Sequence, residues 1–141
     1  MAKQAASSKE LIHAKKQLGK LIAQCRGENM SANKLAIAIG LSRSNLKYIE
    51  DGVNAPTAEV YEQIVDVLQP PPMKRKKMDD LYMTIRQTPP PDVCHALVNN
   101  RQLMELVRSV DEEIKLLNDS EAAQKLISQL RQHCKGDGQN G

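Results

Sequence analysis

The chain has 141 residues, no Phe, no Trp and three Tyr, and its net charge is +3. That length allows one domain, or one small domain with an appendage. The scarcity of aromatic residues argues against sheets and for an all-α fold, with an aliphatic core of Leu, Ile, Val, Met and Ala.

The first helix is predicted from Ser7, with Glu10 three residues on as a capping box. Leu11, Leu18, Leu21, Ile22 and Cys25 follow at helical spacing, and Gly27, Glu28 and Asn29 end the helix. Ser31 is the N-cap of a second helix, Ala32 to Ile39, stopped by Gly40, because glycine enters the left-handed conformation at no steric cost. Ser42 caps a third helix, Arg43 to Glu50, closed by Asp51-Gly52. "NAPT" is a turn, and Thr57 caps a fourth helix marked by Val60, Ile64 and Leu68. "PPP" at 70–72 ends it. Residues 70–77 are expected as a Pro/basic linker. A short fifth helix, 78–86, completes the first domain, whose main body is 7–69.

"TPPP" at 88–91 is a second breaker, with Thr88 able to cap. Leu103, Val107, Val110, Ile114 and Leu117 then form a heptad-like seam. "NDS" at 118–120 interrupts it, and a new stripe runs through Ala123, Ile127, Leu130 and Cys134. Two helices in a hairpin are expected over 88–134, followed by a disordered tail, 135–141.

Charge divides the chain unevenly. Residues 1–69 hold nine Lys/Arg against seven Asp/Glu, 70–77 add four basic residues and no acidic one, and 78–141 hold seven basic against ten acidic. The N-terminal part is the better partner for an anion. Cys25, Cys94 and Cys134 have no CxxC or zinc spacing and read as reduced thiols in a cytoplasmic protein. No metal or cofactor is expected. The start, "MAKQAASSKE", has no apolar core, so no leader is expected. No apolar run approaches the roughly 20 residues of a membrane helix, so no membrane partner is expected. Paired carboxylates, a nucleophile elbow and a phosphate-cradling loop are missing from the pattern, and the expectation is not an enzyme.

Helices two and three have the makings of a helix-turn-helix, two short helices crossing over a turn of three to four residues. The close approach needs a small residue, Ala36. The turn suits Gly40. Leu35, Ile39, Leu41, Leu46 and Ile49 fill the shared interior. Residues 18–68, with "LA…GLS", "YIEDG" and the following Pro, resemble the DNA-binding domain of the phage repressor and Cro family, the xenobiotic-response-element type of regulator. The resemblance implies that Arg26 pairs with Glu50 to brace helix one against helix three. Two departures stand out: the loop "GENM" is one residue shorter than usual, and Ala32 replaces a glutamine that contacts phosphate. That contact passes to Asn33 or Lys34, or is absent.

The resemblance implies a third helix lying in the major groove of double-stranded DNA. Arg43 is suited to guanine O6 and N7, and Asn45 to adenine N6 and N7 if it points inward. Ser44 accepts or donates, Lys47 reaches guanine or phosphate, and Tyr48 meets the backbone. Asn54, in the turn after the helix, is placed for a phosphate. "MKRKK" at 73–77 is read as a solvated linker rather than a basic arm on DNA. One such domain reads a half-site, so a homodimer through residues 92–134 is expected. The expected function is a sequence-specific transcriptional regulator, a repressor. The alternatives are an antitoxin that represses its own operon and a helix-turn-helix module that bridges proteins.

Overall fold

The structure, a computed structural model, describes residues 6–27, 30–117, 121, 124, 125 and 127–132. Among these it is all-α. The helices are α1 (Ser8–Arg26), α2 (Ala32–Ala38), α3 (Arg43–Glu50), α4 (Ala58–Leu68), α5 (Pro72–Arg86), α6 (Pro91–Asn99) and α7 (Arg101–Leu117). The residues described between 121 and 132 are helical too. The chain divides into two compact units, Met1–His95 and Ala96–Gly141. The expected turn at 118–120, Ala123 and Cys134 of the second stripe, the tail 135–141, and Glu28 and Asn29 of the first loop lie outside the described residues.

In the first unit each of the first four helices starts at a hydroxyl that satisfies an orphan amide. Ser7 Oγ accepts from the Glu10 amide at 3.2 Å, Ser31 Oγ from Lys34 at 3.1 Å, Ser42 Oγ from Asn45 at 3.1 Å and Thr57 Oγ1 from Val60 at 3.3 Å. Between α2 and α3 the chain reverses at Gly40, whose φ of 69° favours glycine. The Leu41 amide then closes the turn on the Ala36 carbonyl at 2.9 Å. The helices α4 and α5 end differently, on Gln69 and Gln87 in the left-handed region, φ 48° and 56°. Each glutamine side-chain amide donates to the carbonyl three residues back, Asp66 at 3.0 Å and Thr84 at 2.9 Å.

The core gathers Leu18 and Ile22 of α1, Leu35, Ala36 and Ile39 from α2 and its end, Leu46 and Ile49 of α3, Tyr61, Ile64 and Val65 of α4, and Met78 and Tyr82 of α5. It is not purely aliphatic as expected. Tyr61 and Tyr82 stack at its centre with ring centroids 4.4 Å apart. Burial of the Tyr61 ring is affordable because its hydroxyl donates to Asp79 Oδ1 at 2.6 Å. Burial first, and that hydrogen bond second, push the Tyr61 hydroxyl far above its ordinary pKa.

The expected linker at 70–77 needs correction: from Pro72 onward it is helix. α5 begins with Pro71 as N-cap and Pro72 at its first position, where a missing N–H costs nothing. The prolines that stop α4 therefore also start α5, and "MKRKK" forms its first turns, with α5 packed along α1. The Arg75 guanidinium donates from Nε to Asp79 at 3.2 Å and reaches Asp92 Oδ2 of α6 from Nη2 at 3.2 Å. Burial works against the Arg75 charge, but Asp79 and Asp92 outweigh it and raise its pKa. His95 Nε2 lies 3.1 Å from Glu62 Oε2 of α4, so the start of α6 is tied to α4 and α5.

The second unit holds a break that the seam did not announce. Asn100 separates α6 from α7, its Oδ1 accepting the Leu103 amide at 3.2 Å. On α7, Leu103, Met104, Val110 and Ile114 are half-buried, while Leu106 and Val107 are exposed. Its other side carries the pairs Arg108–Glu105 at 2.9 Å and Lys115–Asp111 at 2.8 Å.

Candidate nucleic-acid interface

The third helix has eight residues and two faces of opposite character. Leu46 and Ile49 are buried in the core, while Arg43, Ser44, Asn45, Lys47 and Tyr48 are all exposed. A helix turns about 100° per residue. Measured from the bisector of Leu46 and Ile49, Ser44 then points almost directly away, at roughly 170°. Lys47 and Tyr48 flank it at roughly 130° on either side, and Arg43 and Asn45 form opposite shoulders at roughly 90° and 70°. Arg43 and Lys47 thus share one flank, and Asn45 lies on the other, nearer the core.

The first of these flanks borders α2. Arg43 and Lys47 line a depression of about 220 Å³ together with Ala32 at the start of α2, Arg26, Glu50 and Asp51. Asn33 and Lys34 follow Ala32 and are exposed in the first turn of α2. Lys47 Nζ lies 3.8 Å from Asp51 Oδ2, both largely exposed, which is a weak tether. Asn54 is exposed too, and the amides of Val53 and Asn54 both donate to the Tyr48 carbonyl, at 2.8 and 3.1 Å. That loop is therefore a direct continuation of the helix.

Four contacts hold α3 and the loop that follows it in place. Arg26 grips Glu50 with both Nε and Nη2, each 2.9 Å from a carboxylate oxygen, and its Nη1 donates to the Met30 carbonyl at 3.2 Å. The hydrogen bond to Glu50, the largest cause, raises the Arg26 pKa against the cost of burial. This pairing is the one implied by the resemblance. The other three contacts were not read from the sequence. Gly19 lets α1 cross the end of α3: a Cβ there would stand 2.3 Å from the Ile49 carbonyl oxygen. Gly52, with φ of 78°, does the same for the turn, since its Cβ would stand 2.6 Å from Lys16 Cα. Arg86, at the end of α5, donates from Nε to the Pro56 carbonyl at 2.9 Å and from Nη2 to the Ala55 carbonyl at 3.0 Å. A glycine in mid-helix, destabilising by about 1 kcal/mol relative to alanine, was the available signal for the crossing at Gly19. Nothing local announces Arg86.

Among the described residues no group of His, Cys, Asp or Glu is arranged to hold a metal ion, and no helix is long and apolar enough to cross a membrane. Comparison with protein families, with curated proteins and with solved structures finds no match to this chain.

Proposed function

We propose that this chain is a sequence-specific DNA-binding transcriptional regulator, a repressor, in which α2 and α3 act as a helix-turn-helix of the phage repressor and Cro kind. The observation that carries this reading is the division of α3. Its two apolar residues are buried, and five side chains with different hydrogen-bonding shapes stand outward on a helix braced by Arg26–Glu50. The major groove admits one helix and distinguishes all four base pairs by donor and acceptor pattern. In this reading Arg43 and Ser44 meet base edges, Lys47 a guanine or phosphate, and Tyr48 the backbone. Asn45 reads adenine from its shoulder position. Asn33, Lys34 and Asn54 meet phosphates on either side. The protein acts as a cytoplasmic homodimer through residues 92–134, and it binds rather than catalyses.

One observation favours a second reading, a module that bridges proteins. Ile37 on the outward side of α2 and Val53 after α3 are 73% and 60% exposed, as a partner-binding patch would be. The polar face of α3 weighs for DNA. Selection of bound sites from random duplex DNA tests the choice. Enrichment of a sequence with two-fold symmetry supports a dimeric regulator, and failure to enrich any sequence overturns the proposal.

A further inference from the structure

The helices α1 and α5 pack along one another and leave an open cleft of about 370 Å³ between them. Its α1 wall is His13, Gln17 and Leu21, and its α5 wall is Lys77, Asp80 and Leu81. Residues four apart on a helix lie about 40° from one another, so the α1 wall is one row of a single helix face. Leu21 and Leu81 are half-buried, pack against the core and form an aliphatic floor. His13, Gln17, Lys77 and Asp80 are exposed and form a polar rim. Among the described residues neither Lys77 nor Asp80 enters an ion pair, although Arg108 and Glu105, at the same spacing of three, pair at 2.9 Å. Two opposite charges thus border an aliphatic floor without neutralising each other.

The charges select what such a cleft holds. A neutral aliphatic molecule leaves both of them unused. A simple aliphatic carboxylate meets Lys77 but is repelled by Asp80, and a simple aliphatic amine meets Asp80 but is repelled by Lys77. A zwitterion satisfies both. The neighbouring charges are Lys74, one turn before Lys77, and Lys20 and Glu10, which flank the α1 row, all exposed. Lys76 lines the groove toward Pro89 and Pro90 instead. Cations exceed anions around the cleft, which strengthens the hold on a carboxylate and leaves Asp80 as the anion on the rim for an ammonium. The volume falls within the range of small-ligand sites, roughly 300–1,000 Å³. We propose that the cleft between α1 and α5 binds a small zwitterion with an aliphatic side chain, the chemistry of an aliphatic α-amino acid. Its carboxylate pairs with Lys77, its ammonium with Asp80, and its side chain lies on Leu21 and Leu81. The Gln17 amide, which both donates and accepts, serves either end. The site is separate from the outward face of α3, and the inference does not depend on DNA binding.

The test is an NMR chemical-shift titration of the full chain with millimolar L-leucine, at neutral pH and constant ionic strength, without DNA. The methyl groups of Leu21 and Leu81 and the ring of His13 are expected to shift together and to saturate, while the methyls of Leu103 stay in place. Glycine, which lacks the aliphatic body, binds at least about tenfold more weakly, since roughly two buried methylenes account for that factor. Isocaproate, which is leucine without its ammonium, and isopentylamine, which is leucine without its carboxylate, each bind more weakly than L-leucine. Lys77→Gln and Asp80→Asn, both at exposed side chains, each weaken L-leucine binding about twofold to fivefold, the range of an exposed ion pair. Asp80→Asn at the same time strengthens the binding of isocaproate, and Lys77→Gln that of isopentylamine, because each removes a repelling charge. A merely structural effect of the substitutions does not produce this crossed pattern, and circular dichroism verifies that each variant keeps its helices. Absence of a saturable shift at Leu21 and Leu81 overturns the proposal. Isocaproate or isopentylamine binding the unaltered chain as tightly as L-leucine overturns it too, and gives the cleft to a simple ion. Glycine binding as tightly as L-leucine removes the aliphatic floor from the site and likewise overturns it. Failure of the site selection alone leaves the titration standing, and a negative titration leaves the DNA-binding reading as it was.

Discussion

Gly19 and Arg43 make opposite demands on the same helix. Gly19 has no freedom, since any side chain there meets the backbone carbonyls of Ile49 and Glu50. Gly19→Ala gains helix propensity and still destabilises, because a methyl forced between two backbones costs about 1–3 kcal/mol or more. Urea unfolding should show this loss, and an unchanged midpoint would mean that α1 does not press on α3. Arg43 is exposed and makes no contact that the fold needs. Arg43→Ala should leave stability within about 0.5 kcal/mol. On the proposed reading it costs about 1–3 kcal/mol of binding and relaxes preference at one base pair. Equal weakening on every sequence would assign Arg43 to a phosphate. No effect would remove it from the interface.

At the scale of elements, what was legible in the sequence was what is local. The hydroxyls of Ser7, Ser31, Ser42 and Thr57 act on amides three residues away, so four helix starts could be read from spacing alone. Ala36, Gly40, Leu46 and Ile49 were legible because one small motif restricts them all. The start of α5 was misread because a proline run marks a helix end and a first helical position equally well. The Asn100 cap was hidden by the apolar spacing around it. The network Tyr61–Asp79–Arg75–Asp92 spans three helices, and no spacing rule finds it. It accounts for the way α6 is held on α4 and α5. Asp79→Ala leaves the buried Tyr61 hydroxyl without its acceptor and should cost about 1–3 kcal/mol. Asp79→Asn keeps an acceptor and should cost less. Thermal melts of the two variants compare them directly, and equal melting would show that the hydroxyl does not depend on Asp79.

For the whole molecule, the sequence suggests a polar helix face early in the chain and an amphipathic stripe late in it; the structure divides the chain into Met1–His95 and Ala96–Gly141. The seam residues Leu103, Val110 and Ile114 are only half-buried in α7, which leaves apolar surface for association. On the proposed reading Ile114→Asp places a charge in the dimer stripe and should weaken self-association of the full chain, because an unpaired charge resists burial. Light scattering of the variant beside the unaltered chain measures it. Identical masses over a dilution series would remove α7 from the assembly. On the proposed reading a weaker dimer also binds DNA more weakly, since two half-sites are then no longer presented together.

The separation of the two faces of α3 has a consequence for how such a protein changes over generations. Leu46 and Ile49, with the brace from Glu50, do the folding, and Arg43, Ser44, Asn45, Lys47 and Tyr48 face outward. Substitutions at these five positions are nearly silent for stability, because exposed changes usually stay within about 0.5 kcal/mol and the one pair among them, Lys47–Asp51, is long and exposed. On the proposed reading the outward face can therefore drift among targets while the scaffold stays constant, and two chains with the same interior can part company in what they recognise through a handful of exchanges in a single eight-residue segment.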